Sequence, residues 1–259
     1  MTKPEVLIMD AITAAPRTQA HSGKPRARVG LIIPSVNSLS EPQFNRFAPA
    51  GLGIHVTRAR VAGPWKRPLA EMADEIAFSA QLLSDCGPDL IVFHCTDTSM
   101  TEGPDGEQRI LDLIRDATGV EALATSRLVL EALNALAITR IVLISPYRTN
   151  DNVKRYLQAT GFEVVHDVAL GLTAREFVTV TPQRWLDIAR DNDRADADGI
   201  FLSCTNTTQI EAIADVERAL GKPVVNSNQA VLWGCLKRLR AALGTPPAVP
   251  TLGRLMALN

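Results

Sequence analysis

Arg28-Val-Gly-Leu-Ile-Ile-Pro-Ser35 is a short, unbroken apolar run closed by a turn signal, and Arg140-Ile-Val-Leu-Ile-Ser-Pro-Tyr147 repeats it in the second half of the chain. A run of that length with no polar alternation suits a strand buried on both faces, the signature of a parallel sheet. Leu90-Ile-Val-Phe93, Gly199-Ile-Phe-Leu202 and Pro223-Val-Val225 read the same way. Helical periodicity occupies the text between them, over 68–83, 106–117, 126–136, 150–160, 210–220 and 229–242. Strands alternating with helices predict an α/β protein, a parallel sheet covered on both faces.

A second echo lies downstream of the first. Phe93-His-Cys95-Thr-Asp-Thr-Ser99 matches Leu202-Ser-Cys204-Thr-Asn-Thr-Thr208, and Arg28 to Cys95 spans 67 positions against 64 from Arg140 to Cys204. The chain therefore reads as two related lobes in tandem with a pseudo-twofold axis. We expect lobe 1 to comprise 27–125 plus 227–259 and lobe 2 to comprise 126–226. Residues 1–26 carry no sustained period and are expected to form a poorly ordered N-terminal arm.

Composition narrows the class. The 259 residues are 46% hydrophobic and 21% charged with a net charge of −1, as in an ordinary soluble globular protein. Without a basic run there is no footprint for nucleic acid, and no apolar stretch is long enough to span a membrane. A cytoplasmic location is expected. The four cysteines (Cys86, Cys95, Cys204, Cys235) show no CxxC pair and no zinc-ligand spacing, so neither metal nor disulfide is expected. A homo-oligomer is the expected assembly, dimers being the commonest.

Cys95 and Cys204 should stand at the carboxyl ends of matching parallel strands, where open α/β sheets bind ligands. A following helix N-terminus would lower each thiol pKa from about 8.5. Thr96, Thr205, Asn206 and the backbone N–H groups beside them can cradle a carboxylate or a developing enolate. Packing is the ordinary fate of a lone buried cysteine. Two cysteines at equivalent repeat positions with matching followers point instead to chemistry, and Cys86 and Cys235, within helix-like text, to packing. His94 should be a core residue, alternation turning it away from Cys95; His55 and His166 have no nearby partner. Asp97 could orient a thiol or cap the next helix, as could Asn206; Ser227 and Asn228 could line the cleft or cap the helix from Gln229. The Gly103-Pro-Asp-Gly106 cluster reads as a turn.

The doubled Cys-Thr-(Asp/Asn)-Thr motif, Ile33-Pro-Ser-Val-Asn37, Ser145-Pro-Tyr147 and Gly221-Lys-Pro-Val-Val-Asn-Ser-Asn-Gln-Ala230 resemble the maleate cis–trans isomerase and arylmalonate decarboxylase branch of the aspartate/glutamate racemase superfamily. The resemblance runs from Arg28 to about Leu243. It implies two flavodoxin-like lobes with the active site between them, no cofactor, and a small carboxylic acid as substrate. Cys95 and Cys204 would be the catalytic pair, with Cys95 nucleophile or base and Cys204 the opposed acid. Asn37 and Tyr147 would hydrogen-bond the substrate carboxylate, with Ser35 beside them. Arylmalonate decarboxylases retain only the second cysteine, so Cys95 argues against that activity and for an isomerase or racemase; a decarboxylase or lyase, or a non-catalytic small-molecule binding protein, is the alternative. The resemblance departs at Gly171-Leu-Thr-Ala-Arg175-Glu176, where the maleate isomerase pattern has an asparagine for a second carboxylate. Arg175 is either a substitute for it or a solvated side chain.

Overall fold

The computed structural model describes residues 23–245 and 249–258. The first lobe is built from β1 (Ala27–Pro34), α1 (Ser40–Phe47), β2 (Leu52–Ala59), α2 (Leu69–Ser84), β3 (Leu90–Phe93), α3 (Thr96–Thr101), α4 (Gly103–Thr118) and β4 (Glu121–Ala124). Helix α5 (Thr125–Ala135) leads into β5 (Arg140–Ser145), α6 (Asp151–Ala159), β6 (Glu163–Ala169), α7 (Pro182–Asp191), β7 (Gly199–Leu202), α8 (Ile213–Leu220) and β8 (Val224–Asn226). Helices α9 (Ser227–Arg238) and α10 (Arg240–Leu243) follow. All strand pairs are parallel, and the two sheets have orders β2-β1-β3-β4 and β6-β5-β7-β8. Substituting β5 for β1 and so on turns one order into the other, so the duplication read from the apolar runs is the architecture of the molecule: two pseudo-symmetric α/β lobes.

Strand alternation divides the core. Val29, Leu31 and Ile33 of β1, with Leu90 and Val92 of β3, face a cluster that continues into the second lobe through Leu128, Val142, Leu143 and Trp233. Ile32, Ile91 and Phe93 point the other way, onto Ile76 of α2 and Ile110 and Ile114 of α4. Both faces being covered, a continuous apolar run is what such a strand requires. Helices α5 and α9, each following the last strand of a lobe, pack against one another at the centre. Their close approach needs Gly234, where a Cβ would come within 2.5 Å of Leu128 Cδ2.

Several expectations are corrected. Strands β2, β4 and β6 and helices α1, α3 and α7 were not anticipated; β2 and β6 are edge strands, mostly half-buried, and carry a mixed rather than continuous apolar pattern. The Gly103-Pro-Asp-Gly106 cluster is the first turn of α4, Gly103 taking φ +72° where the chain leaves α3. Cys235 is buried as expected, but Cys86 is exposed just beyond the end of α2, its thiol donating to the Leu83 carbonyl. After α10, residues 250–258 pack against both α8 and α9: Arg254 N–H donates to Glu217 of α8 at 2.9 Å, and Gln229 of α9 donates to the Leu252 carbonyl at 2.6 Å. Of the expected N-terminal arm, residues 1–22 lie outside the described residues; Arg26 N–H donates to the Gly51 carbonyl at 2.8 Å. Among the described residues no helix is long and apolar enough to cross a membrane.

A buried carboxylate ties the lobes together. Glu107 on α4 accepts from Ser126 Oγ at 2.5 Å, from Arg127 Nε at 2.8 Å and from the Tyr156 phenol on α6 at 2.5 Å. Removing one partner of such a group strands the others without water. Glu107→Ala should therefore cost about 3 kcal/mol of unfolding free energy in urea titrations, whereas a change under about 0.5 kcal/mol is what a surface site would give.

Candidate active site

Strands β3 and β7 each end two residues before a cysteine, and the two cysteines meet at one cavity of ≈ 590 Å³ between the lobes. Asn37, Thr96, Tyr147, Thr205 and Asn206 line the same cavity. Of the anticipated set, Ser35 is not brought to it; this residue follows β1 directly, its N–H donating to the Ala59 carbonyl at 2.7 Å. Arg175 is exposed and also off the cavity wall, though Leu172, Thr173 and Ala174 reach it.

The two thiols are 5% and 4% exposed, and this dryness governs their chemistry. Burial pushes the Cys95 thiol above its ordinary range, against the pull of hydrogen bonding with Thr98; the Asp97 charge adds to the rise. Burial pushes Cys204 up to about 12, against the Asn206 N–H and the Tyr147 phenol. The expected lowering by a helix N-terminus is thus reversed: α3 is only six residues long, and losing water outweighs its dipole. Tyr147, packed edge-on against Phe177 at 5.8 Å, is itself pushed well above its ordinary value by burial and then by the neighbouring sulfurs and Asp97, so it keeps its proton and acts as a donor.

The repeat is not perfect at the sulfurs. Cys95 has ordinary extended backbone at φ −150°, whereas Cys204 is held at φ +149°, a region that costs a residue with a Cβ about 1–3 kcal/mol. Hydrogen bonds hold it there: Cys204 N–H donates to Ser227 Oγ at 3.2 Å, and Asn206 N–H donates to Cys204 Sγ at 3.4 Å.

Behind the thiols lies a buried polar seam. The His94 ring is fully buried, bonded to Thr125 at 3.1 Å and Asn228 at 2.9 Å, and burial lowers its pKa to about 3. It is a neutral core histidine, as alternation predicted. Asn228 also donates to the Thr205 carbonyl at 3.1 Å, and Thr96 Oγ1 donates to Ser227 Oγ at 2.8 Å, joining the two cysteine loops. Neither Ser227 nor Asn228 caps α9; Asn226 does, in a capping box with Gln229. Asn37 shares its amide hydrogens between Ser40 Oγ at 2.8 Å and Thr205 Oγ1 at 3.1 Å, while its carbonyl oxygen accepts from the N–H groups of Leu39 and Ser40. Asn206 accepts from Ser38 and Leu39 N–H groups and so pins the turn after β1 rather than capping a helix. Asp97 caps nothing either. Its carboxylate is paired with Lys66 and accepts from Asn152 Nδ2 at 3.2 Å.

Lys66, Arg148 and Asn152 are cavity residues that sequence reading did not single out, because each comes from a segment with no repeat counterpart or motif. Val36, Ala62, Pro64, Leu172 and Phe177 give the cavity an apolar wall. His55 lies off the cavity, and His166 pairs with Asn192 and Arg194 away from it. Among the described residues no group of three or more His, Cys, Asp or Glu side chains is placed to hold a metal ion.

Comparison with known proteins agrees with this geometry. The arylmalonate decarboxylase family model matches residues 29–256. An arylmalonate decarboxylase from Bordetella bronchiseptica is 30% identical over 238 residues, covering 88% of this chain and 95% of that protein. A maleate isomerase from Pseudomonas putida is 29% identical over 246 residues, covering 89% and 97%. Among solved structures, a cysteine-to-serine mutant of the Nocardia farcinica maleate cis–trans isomerase, holding a covalently bound succinylcysteine intermediate, superposes with a TM-score of 0.80 at 24% identity, covering 90% of this chain and 99% of that one. The chain belongs to the arylmalonate decarboxylase family, a branch that also holds the maleate isomerases.

Proposed function

We propose that the protein is an isomerase that acts on a small carboxylic acid through Cys95 and Cys204, with no cofactor needed for the step. The observation that carries this reading is that two thiols from equivalent repeat positions line one cavity from opposite lobes. A decarboxylase needs only one sulfur-borne proton; the second thiol is what an isomerase adds.

With an unsaturated acid in the cleft, the Cys95 thiolate forms a C–S bond to one alkene carbon while the Cys204 thiol gives its proton to the adjacent carbon. The former double bond is then single and rotates. Cys204 takes the proton back as the C–S bond breaks, returning the Cys95 thiolate and the other geometric isomer. The succinylcysteine of the Nocardia farcinica enzyme is an adduct of this kind. With a saturated acid the same pair would exchange a proton at the α-carbon from its two faces. Tyr147, still protonated, donates to the substrate carboxylate, and backbone N–H groups after each cysteine add to it. Asn37 joins them by exchanging its Thr205 partner, whose hydroxyl is then free to turn to the same anion. Thr96 and Asn206 complete the cradle.

Each thiol should be indispensable. Incubated in deuterium oxide with a panel of cis-unsaturated and α-substituted acids and followed by NMR, the wild type should convert at least one, while Cys95→Ser and Cys204→Ser should each lose at least about 100-fold in rate. An unsaturated substrate should also leave a covalent adduct on Cys95 in the Cys204→Ser variant, visible as a mass increase equal to the acid. A serine variant that keeps its turnover would remove the two-thiol reading.

The burial of the two thiols makes a separate prediction about pH. Both thiols are raised above 9.0, so folding favours their protonated forms, and the thiolate appears only as pH rises past that value. The associated stability is full below the unfolded thiol pKa and is lost as pH climbs towards the folded values. Iodoacetamide labelling of Cys95 and Cys204, resolved by peptide mass mapping, should keep accelerating beyond pH 9. A plateau below pH 8 at either site would contradict the burial argument.

A further inference from the structure

The cavity holds charges that the two-thiol chemistry does not use. Lys66 and Arg148 line it with a single carboxylate, Asp97, leaving the wall net cationic by one. The groups beside the sulfurs that take the reacting carboxylate, Asn37, Tyr147 and the backbone N–H groups, are all neutral. Lys66 spends one ammonium donor on Asp97, and among the described residues its other two donors meet no acceptor. Its side chain is 29% exposed and Asp97 is 27% exposed, so both stand at the cavity surface rather than within packing. Asn152 braces Asp97 from α6, which fixes the pair. Arg148 forms no ion pair among the described residues.

Resting on the isomerase reading, we propose that Lys66, steadied by Asp97 and Asn152 and reinforced by Arg148, receives a second anionic group of the substrate, and that this substrate is an elongated diacid rather than a four-carbon one. Two observations set the length. Asp97 follows Cys95 by two residues and lines the same cavity as both sulfurs, so its charge stands near the reacting carbons. A four-carbon diacid pinned between the thiols would bring its second carboxylate to that same neighbourhood, against Asp97. A longer acid carries its second carboxylate to the donors of Lys66 turned away from Asp97, and to Arg148, with its middle against Val36, Pro64 and Phe177. The ≈ 590 Å³ cavity is of the size that encloses drug-like ligands, well beyond what a four-carbon diacid fills.

The test measures binding, so it stands apart from turnover. Calorimetric titration of the Cys95→Ser/Cys204→Ser variant, in which no thiol is left in the cavity to add to an alkene, compares trans,trans-muconate with sorbate, which differ by a carboxylate in place of a methyl group. The same titration compares 4-carboxycinnamate with 4-methylcinnamate, and both series with maleate. Each longer diacid should bind about tenfold or more tighter than its monoacid twin, and tighter than maleate. The triple variant Lys66→Met/Asp97→Asn/Arg148→Met, made in the same background, removes both cations without leaving the Asp97 carboxylate unpaired; it should erase the preference while leaving monoacid affinity in place. Equal binding of the twins, tighter binding of maleate, or a preference that survives the triple variant would each overturn the proposal. Loss of turnover in the cysteine variants tests the isomerase reading alone, so either idea can fail without the other.

Discussion

Two parallel sheets present their carboxyl edges to one another, and every polar atom buried along that junction must find its partner within the protein. The junction meets this demand by crossing itself: Asn228 from the chain after β8 reaches His94 after β3 and Thr205 after β7, while Ser227 takes bonds from Thr96 and from Cys204. No single lobe could satisfy these groups alone. The seam thus fixes the position of each cysteine loop relative to the other, and the cavity opens on the side where the thiols emerge.

Dryness at that seam has a price at the sulfurs. Both are held protonated by burial, with Cys204 pushed up to about 12, and the neutral His94 behind Cys95 is committed to Thr125 and Asn228. In the proposed reaction the proton therefore passes through the thiols rather than through this histidine. The two sulfurs also differ in how they are held. Cys95 begins a helix in relaxed geometry, while Cys204 is kept in a strained conformation by bonds on both sides of it. Strain of that kind persists only where the surroundings over-determine a residue.

Much of this was legible in the residues. The central strands β1, β3, β5 and β7, with the short β8, showed as apolar runs because burial on both faces removes the need for polar alternation. The edge strands β2 and β6 escaped because half-exposed positions admit His55, Arg58, His166 and Asp167. Helix α7 carried a signal that went unread: Thr181 accepts from Arg184 N–H and Pro182 opens the first turn, the pairing expected at a helix start. At the site, Cys95, Cys204, Thr96, Thr205, Asn37, Tyr147 and Asn206 were found because the repeat or a motif marks them. Lys66, Arg148 and Asn152 were not, since their meeting depends on how the connection before α2 and the segment leading into α6 come together over the cleft. Ser35 was drawn in by its neighbours in sequence and turned out to belong to the strand end.

Duplication has a stereochemical consequence. A planar carbon lying between sulfurs contributed by related lobes is approached on its two prochiral faces by groups of the same element and similar reach. Handedness in the product is then not written into the shape of the pocket alone. In the proposed reaction it would turn on which sulfur holds the hydrogen when the carbon becomes tetrahedral, and Cys95 and Cys204, which differ in backbone geometry, are not equivalent holders.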